Sequence, residues 1–343
     1  MLVVAGLSLH NLKPRVWDTA SEYYLPKLRA VMVSYADFHG NSSRISKAKE
    51  HGLHRYLGVP ENIKVYLDNG AFFLLNSAGR TPRKHYREFV KEARPDWYPI
   101  PQDFIPTPRM STEEQQTCFR RTMIVNRAYQ RDGYVPVIHV SRFLGQYLTA
   151  VQGHERLSAK PAIAIGGLVP NLLRAPKAIS YEEILASLKR VREAFADKEI
   201  HVFGVGGTAT LHLMALLGID SVDSSGWRNR AARGLVQLLG RGDRMVAELG
   251  NWRGRRPSEE EWEILSNCSC PACKQYGLEG LKARAITGFC NRATHNLWTL
   301  LEEEELIRSH IAAGTYERWY ADHLENSTYR PLVDQLLAMS RKL

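Results

Sequence analysis

No window of the 343-residue sequence approaches 18 uninterrupted apolar residues, which excludes a membrane-spanning helix. The opening stretch, MLVVAGLSLHNLKPR, has an apolar run but neither a basic leader nor a small-residue cleavage site. It reads as a first strand rather than an export signal, and the expected compartment is cytoplasmic. No GxGxxG follows that strand, and GVGG at 204–207 is too short to replace it, so dinucleotide binding is disfavoured. Internal repeats are absent. Five cysteines are too few for a disulfide scaffold, and a chain with 44% hydrophobic and 24% charged residues can bury a full core without one.

Acidic residues are the minority charge, 36 against 46 Lys plus Arg, a formal net charge of +10. That surplus favours a polyanionic partner such as nucleic acid. Short apolar runs at 28–35, 64–73, 97–104, 134–141, 161–168, 199–207 and 218–225 alternate with helix-like segments. Apolar residues at three- and four-residue spacing mark 84–93 and 181–196 as helices. Such alternation implies a parallel sheet with crossover connections, and seven or more strands suit a closed barrel. Composition changes near residue 251, where NWRGRRPSEEEWE reads as a linker or exposed loop. Residues 1–250 are therefore expected to form an α/β barrel, and 251–343 a separate subdomain with terminal helices from about residue 294.

Three of the cysteines, Cys268, Cys270 and Cys273, fall in NCSCPACKQYG, and His295 follows in ATHNLW. Three thiolates and an imidazole make a closed tetrahedral zinc site with no open position, hence a structural Zn2+ that pins the loop onto the helix expected near Thr294. Cys290 is an alternative fourth ligand, and Cys118 reads as a buried helix residue.

In a parallel barrel, chemistry gathers at the C-terminal ends of strands. Asp68 follows KVYL, Asp103 follows WYPIPQ, Gly166 and Gly167 follow AIAI, and Asp223 follows GIDSV. A strand-end Asp is often only a turn or capping residue, but three of them would share one mouth. Asp220 competes with Asp223 within its segment and reads instead as a turn into the strand.

The ordered set YLDNGAFF, IAIGGL, HVFGVGGTATLHLMALLGIDSVDSS and CSCPAC…THNL, over roughly residues 64 to 300, resembles the tRNA-guanine transglycosylase superfamily. The resemblance implies a (β/α)8 TIM barrel with a C-terminal zinc-binding subdomain. It also implies exchange of a guanine in nucleic acid for a free 7-deazaguanine base. On that implication Asp223 is the nucleophile and Asp68 the general acid/base. Asp103 reads the base edge, with His139, Gly166, Gly167 and Leu168 lining the base, and Phe72 and Phe203 sandwich it.

Phe73 stands where tRNA enzymes of the family carry Gln, IHVSRF replaces VQGG, and DSSGW follows in place of DCVLP. These departures, with YPIPQDFIPTP, are more similar to the DpdA branch of 7-deazaguanine DNA transglycosylases, found in bacterial gene clusters and phages. DNA is then the expected partner and 7-cyano-7-deazaguanine the incoming base; tRNA is the alternative, and a non-catalytic nucleic-acid-binding subunit a third reading. A partner protein or a homodimer is compatible with the family. Arg228 and Arg230, just after Asp223, are the expected phosphate contacts, with Arg253, Arg255 and Arg256 a second patch.

Overall fold

The computed structural model describes residues 1–71, 82–102, 104–172 and 177–340. Phe72, Phe73 and Asp103 lie outside the described residues. Seven strands, β1 (Leu2–Gly6), β2 (Ala30–Ser34), β3 (Lys64–Asp68), β4 (Val137–His139), β5 (Ala162–Gly166), β6 (Glu199–Val202) and β7 (Ser221–Ser224), form one curled parallel sheet. Its order is β3-β2-β1-β7-β6-β5-β4. β8 (Leu235–Leu238) and β9 (Gly242–Met245) form a separate antiparallel hairpin.

The run at 97–104 is the one that does not become a full strand. It spans the gap between the two edges of the sheet through two isolated parallel bridges, Tyr66↔Trp97 and Pro99↔Val135. Leu67 N–H donates to the Trp97 carbonyl at 2.9 Å on one side, and Ile100 N–H to the Val135 carbonyl at 3.1 Å on the other. Pro99 and Pro101 have no N–H, so a continuous ladder cannot form on either side of Ile100. The segment touches both edges and brings the sheet round on itself in a TIM-like curl.

Twelve helices of seven or more residues occur among the described residues: α1 (Ser42–His51), α2 (Arg83–Ala93), α3 (Thr112–Ala128), α4 (Leu144–Gln152), α5 (Tyr181–Ala194), α6 (Thr208–Leu216), α7 (Gly226–Ala232), α8 (Glu259–Ser266), α9 (Pro271–Lys282), α10 (Ala285–Ala312), α11 (Tyr316–His323) and α12 (Arg330–Ser340). Three start with a full capping box, Ser111 with Glu114, Ser180 with Glu183 and Ser258 with Glu261. In each, the serine side chain meets the third helical N–H while the glutamate reaches back to the cap.

Two-residue alternation decides what each strand offers to which side. Val31, Val33, Val65, Leu67, Ile200, Val202 and Val222 point to the helices and join the main core. Val4, Ala30, Met32 and Tyr66 form a second, smaller cluster with Trp97 and Phe203. That inner cluster is the barrel interior. Continuing its alternation, Asp68 stands two residues beyond Tyr66, at the C-terminal end of β3.

The last long helix starts earlier than the sequence suggests, at Ala285 rather than near residue 294. It packs its central residues against β8, α6, α7 and α9. Glu303 on α10 is wholly buried. One of its oxygens meets Nε2 of both His212 (2.8 Å) and His323 (2.6 Å), and the other accepts the Gly240 N–H at 2.9 Å. Burial pushes the Glu303 carboxyl up, but the two histidine hydrogen bonds outweigh it and hold the group below the usual carboxylate range. Glu303→Gln is expected to cost about 3 kcal/mol in a urea melt, the scale for breaking a buried charge-assisted network. Because the folded pKa is depressed, this contribution is present above the unfolded carboxylate pKa and disappears as pH falls through the folded one. A variant with unchanged midpoint at neutral pH would show that the hub is not a stabilising element.

Candidate active site

Asp68 ends β3 next to Ser34 at the end of β2, the two being paired in register. Its Oδ2 accepts the Ser34 hydroxyl at 3.0 Å and the Gly70 N–H at 2.9 Å. Burial pushes the Asp68 carboxyl up, and the negative charge of Asp223 adds to it, against the lowering effect of the Gly70 and Ser34 hydrogen bonds. The net direction is upward, which favours a carboxylic acid that can donate a proton.

Asp223 ends β7, three positions along the sheet from β3. Its Oδ1 accepts the Gly204 N–H at 2.8 Å, and its side chain keeps 16% of its accessible surface. The mouth therefore holds two partly exposed carboxylates: Asp68, whose pKa is pushed up, and Asp223, held by one oxygen. Phe203 closes the inner side, edge-on to Trp97 and to His201.

His139 ends β4 and is buried, with Gly166 of β5 opposite it in register. Burial lowers its pKa to about 3, so the ring is neutral at physiological pH. It contacts the Gln102 side-chain nitrogen. A Cβ on Gly166 would stand 2.9 Å from the His139 ring, so the ring lies against bare main chain. Gly167 has φ +80°, a conformation suited to glycine, and Leu168 is buried beside it. Asp68, Asp223, His139, Gly166, Gly167, Leu168 and Phe203 thus all sit at or beside strand C-terminal ends.

The two expected phosphate contacts are placed differently. Arg228 turns inward: its guanidinium donates to the Lys13 carbonyl at 2.7 Å and the Asn11 carbonyl at 2.5 Å, and only 7% of the residue is exposed. Proximity to Asp223 in sequence suggested a surface arginine, but one turn of α7 carries this residue onto segment 11–13. Arg230 stays partly exposed and pairs through Nε with both Asp243 oxygens at 2.8 Å.

Cys268, Cys270, Cys273 and His295 converge, although most of α9 and the start of α10 lie between Cys273 and His295 in sequence. Cys270 caps α9, accepting the Cys273 N–H, with Pro271 in the first turn. His295 Nδ1 stands 3.4, 3.8 and 3.5 Å from the sulfurs of Cys268, Cys270 and Cys273. Bond lengths of about 2.3 Å to sulfur and 2.0–2.1 Å to nitrogen at a tetrahedral ion place such atoms about 3.5 Å apart. His295 Nε2–H donates to the Gln237 carbonyl at 2.9 Å, which turns Nδ1 toward the sulfurs. The group can hold a metal ion. Cys290 is not part of it. His212, Glu303 and His323 also cluster. There, however, both imidazoles meet a single oxygen at hydrogen-bond distance, closer than the roughly 3.3 Å edge that oxygen and nitrogen ligands of one tetrahedral ion would keep.

Sequence reasoning overlooked Ser34, Gln102 and His201. The signal for His201 was present: in EIHVFGVGG it takes the same inward register as Phe203.

A family model described as Queuine tRNA-ribosyltransferase matches residues 39–329. The chain is 27% identical over 305 residues to the tRNA-guanine(15) transglycosylase of Pyrococcus abyssi, covering 84% of this chain and 47% of that protein. It is 27% identical over 289 residues to the tRNA-guanine(15) transglycosylase of Thermococcus kodakarensis, covering 80% and 44%. With the Queuine tRNA-ribosyltransferase of Protochlamydia amoebophila it shares 30% identity over 119 residues, 34% of this chain and 29% of that one. The chain spans less than half the length of these relatives.

Proposed function

The chain belongs to the queuine tRNA-ribosyltransferase family, and on that premise we propose that it is a pentosyltransferase that exchanges guanine in a nucleic acid for a free 7-deazaguanine base. The observation that carries this reading is the pair of unlike carboxylates at one mouth. Asp223, at the end of β7, attacks C1′ of the target nucleotide and forms a glycosyl ester. Asp68, biased toward its acid form, protonates the departing guanine and then takes a proton from the incoming base. Double displacement restores the original configuration, as in retaining glycosidases.

Asp103 is proposed to read the base edge, with Gln102 and His139 forming the adjoining wall and backbone groups of Gly166, Gly167 and Leu168 the floor. Phe72 and Phe203 are proposed to hold the flat base between them. A base in a duplex must leave its stack to enter such a mouth. Arg230 is the retained phosphate candidate, whereas Arg228 serves the fold. The barrel body is taken as residues 1–250, closed as a (β/α)8 ring through segment 96–100. Residues 251–343 carry a structural zinc held by Cys268, Cys270, Cys273 and His295.

The proposed polymer is DNA and the incoming base 7-cyano-7-deazaguanine, because Phe73, IHVSRF and DSSGW depart from the tRNA-type motifs. The printed names of the relatives favour tRNA as the second reading. Labelled 7-cyano-7-deazaguanine offered with duplex DNA and, separately, with tRNA decides between them. Label in DNA is the expected result; label in tRNA alone moves the protein to the second reading, and label in neither overturns the exchange reaction with this base.

A further inference from the structure

Among the described residues, the inner cluster of the barrel is mostly apolar, and an imidazole is set against it. His201, on β6, is only 2% exposed and is walled by Trp97 and Phe203, each with ring centroids 4.8 Å away, and by Tyr66 at 5.9 Å. Burying an imidazole there is costly unless both nitrogens are used. Nδ1 lies 2.9 Å from the Ser221 hydroxyl, its register partner on β7. Nε2 has no hydrogen-bond partner and stands 3.4 Å from Oδ1 of Asp223, two residues beyond Ser221 on the same face of the strand.

We propose that His201 is a positioning residue for Asp223, holding Oδ1 through Nε2–H so that Oδ2 is the attacking atom. The proposal rests on the reading of Asp223 as nucleophile. The Ser221 hydroxyl donates to Nδ1, which leaves the imidazole proton on Nε2, facing the carboxylate. Gly204 N–H already donates to the same oxygen, so a closed His201 contact would give Oδ1 two donors and leave Oδ2 free to attack. Catalytic hydrogen bonds of this length commonly tighten when substrate fills the site.

The electron accounting follows. Oδ2 supplies the pair that forms its bond to C1′; the C1′–base bond breaks, and its pair leaves with guanine, which takes the Asp68 proton. Oδ1 becomes the ester carbonyl oxygen, still facing both donors. When the incoming base displaces the ester, negative charge returns to the carboxylate, and the N–H groups of Gly204 and His201 receive it. Preorganised donors of this kind stabilise charge as it develops.

Two measurements test the assignment. Nitrogen-15 imidazole spectra of the full-length wild-type protein read the tautomer directly: protonated Nε2 and unprotonated Nδ1 are expected for His201, and the opposite tautomer overturns the proposal. Exchange of labelled guanine into duplex DNA and into tRNA, which needs no particular deazaguanine, reads the consequence. His201→Phe keeps an aromatic ring without the donor and is expected to lower kcat about 100-fold with KM within about twofold. His201→Gln restores a donor and is expected to recover about tenfold of that loss, which a purely packing role would not produce. Ser221→Ala is expected to lower kcat by itself but to add little in the His201→Phe background, since both act on one hydrogen bond. A His201→Phe enzyme within twofold of wild type overturns the proposal. Should Asp223→Asn also keep full activity, the nucleophile reading falls; should only Asp223→Asn be inert, that reading stands and the role of His201 alone is lost.

Discussion

Replacement of Asp223 by Asn is expected to reduce base exchange by at least about 10³-fold, with no covalent protein–nucleic acid adduct after rapid denaturation. The amide keeps the shape of the carboxylate, and its oxygen can still accept the Gly204 N–H at the end of β7. What it lacks is an anionic oxygen to form and later release the bond to C1′. The side chain sits at an open mouth rather than in the core, so the melting temperature should change little. A variant that exchanges guanine within about tenfold of wild type would remove Asp223 from the proposed mechanism. The companion carboxylate gives the pH signature. On the proposed mechanism, departure of guanine requires Asp68 protonated, and burial together with Asp223 raises its pKa. The rate of that step should therefore fall as pH rises through a value above the ordinary carboxylate range.

Removal of metal is expected to have the largest effect on stability. Three buried or half-buried sulfurs share one imidazole within 3.8 Å, an arrangement that strongly favours a cation. Without one, the thiols compete for charge: hydrogen bonds with Cys270 and Cys273 pull the Cys268 thiol down, while those with Cys268 and Cys270, together with burial, push Cys273 up. Structural zinc contributes on the order of 10 kcal/mol in isolated zinc-finger peptides. Even half of that would move the melting temperature of this chain by about seven degrees. Elemental analysis before and after dialysis against a strong chelator, followed by calorimetry of both samples, checks the prediction. Cys270→Ser should reproduce the loss through the missing thiolate, because serine can still cap α9. A metal-free sample with an unchanged melting temperature and lost activity would instead indicate a metal that takes part in the reaction.

Much of this arrangement could be read from residue order. Seven of the eight expected strand positions, counting the N-terminal one, became strands of a single parallel sheet. Two factors limited the reading. Prolines hid the nature of 97–104: its apolar residues match a strand, but the missing N–H groups reduce it to two bridges. Helix phase hid Arg228 and the start of α10, since neither an inward-facing residue in the first turn of a short helix nor a start nine residues before Thr294 leaves a local mark. Metal-ligand spacing was legible because Cys268, Cys270 and Cys273 are adjacent. His201 was not singled out, because one polar residue in an apolar strand resembles an ordinary core histidine until its neighbours in space are known.

The glycines at the mouth carry a consequence for how this protein can diverge. A Cβ at Gly206 would stand 2.5 Å from the Ser224 side chain, one at Gly204 would meet Val169 at 2.5 Å, and one at Gly166 would press on His139. A side chain at any of these positions would have to push a neighbour aside. Inheritable variation in what the mouth accepts is thereby channelled to the adjoining wall, where Gln102 and His139 meet through side chains. Lineages could trade one base for another there while the main-chain floor stays fixed.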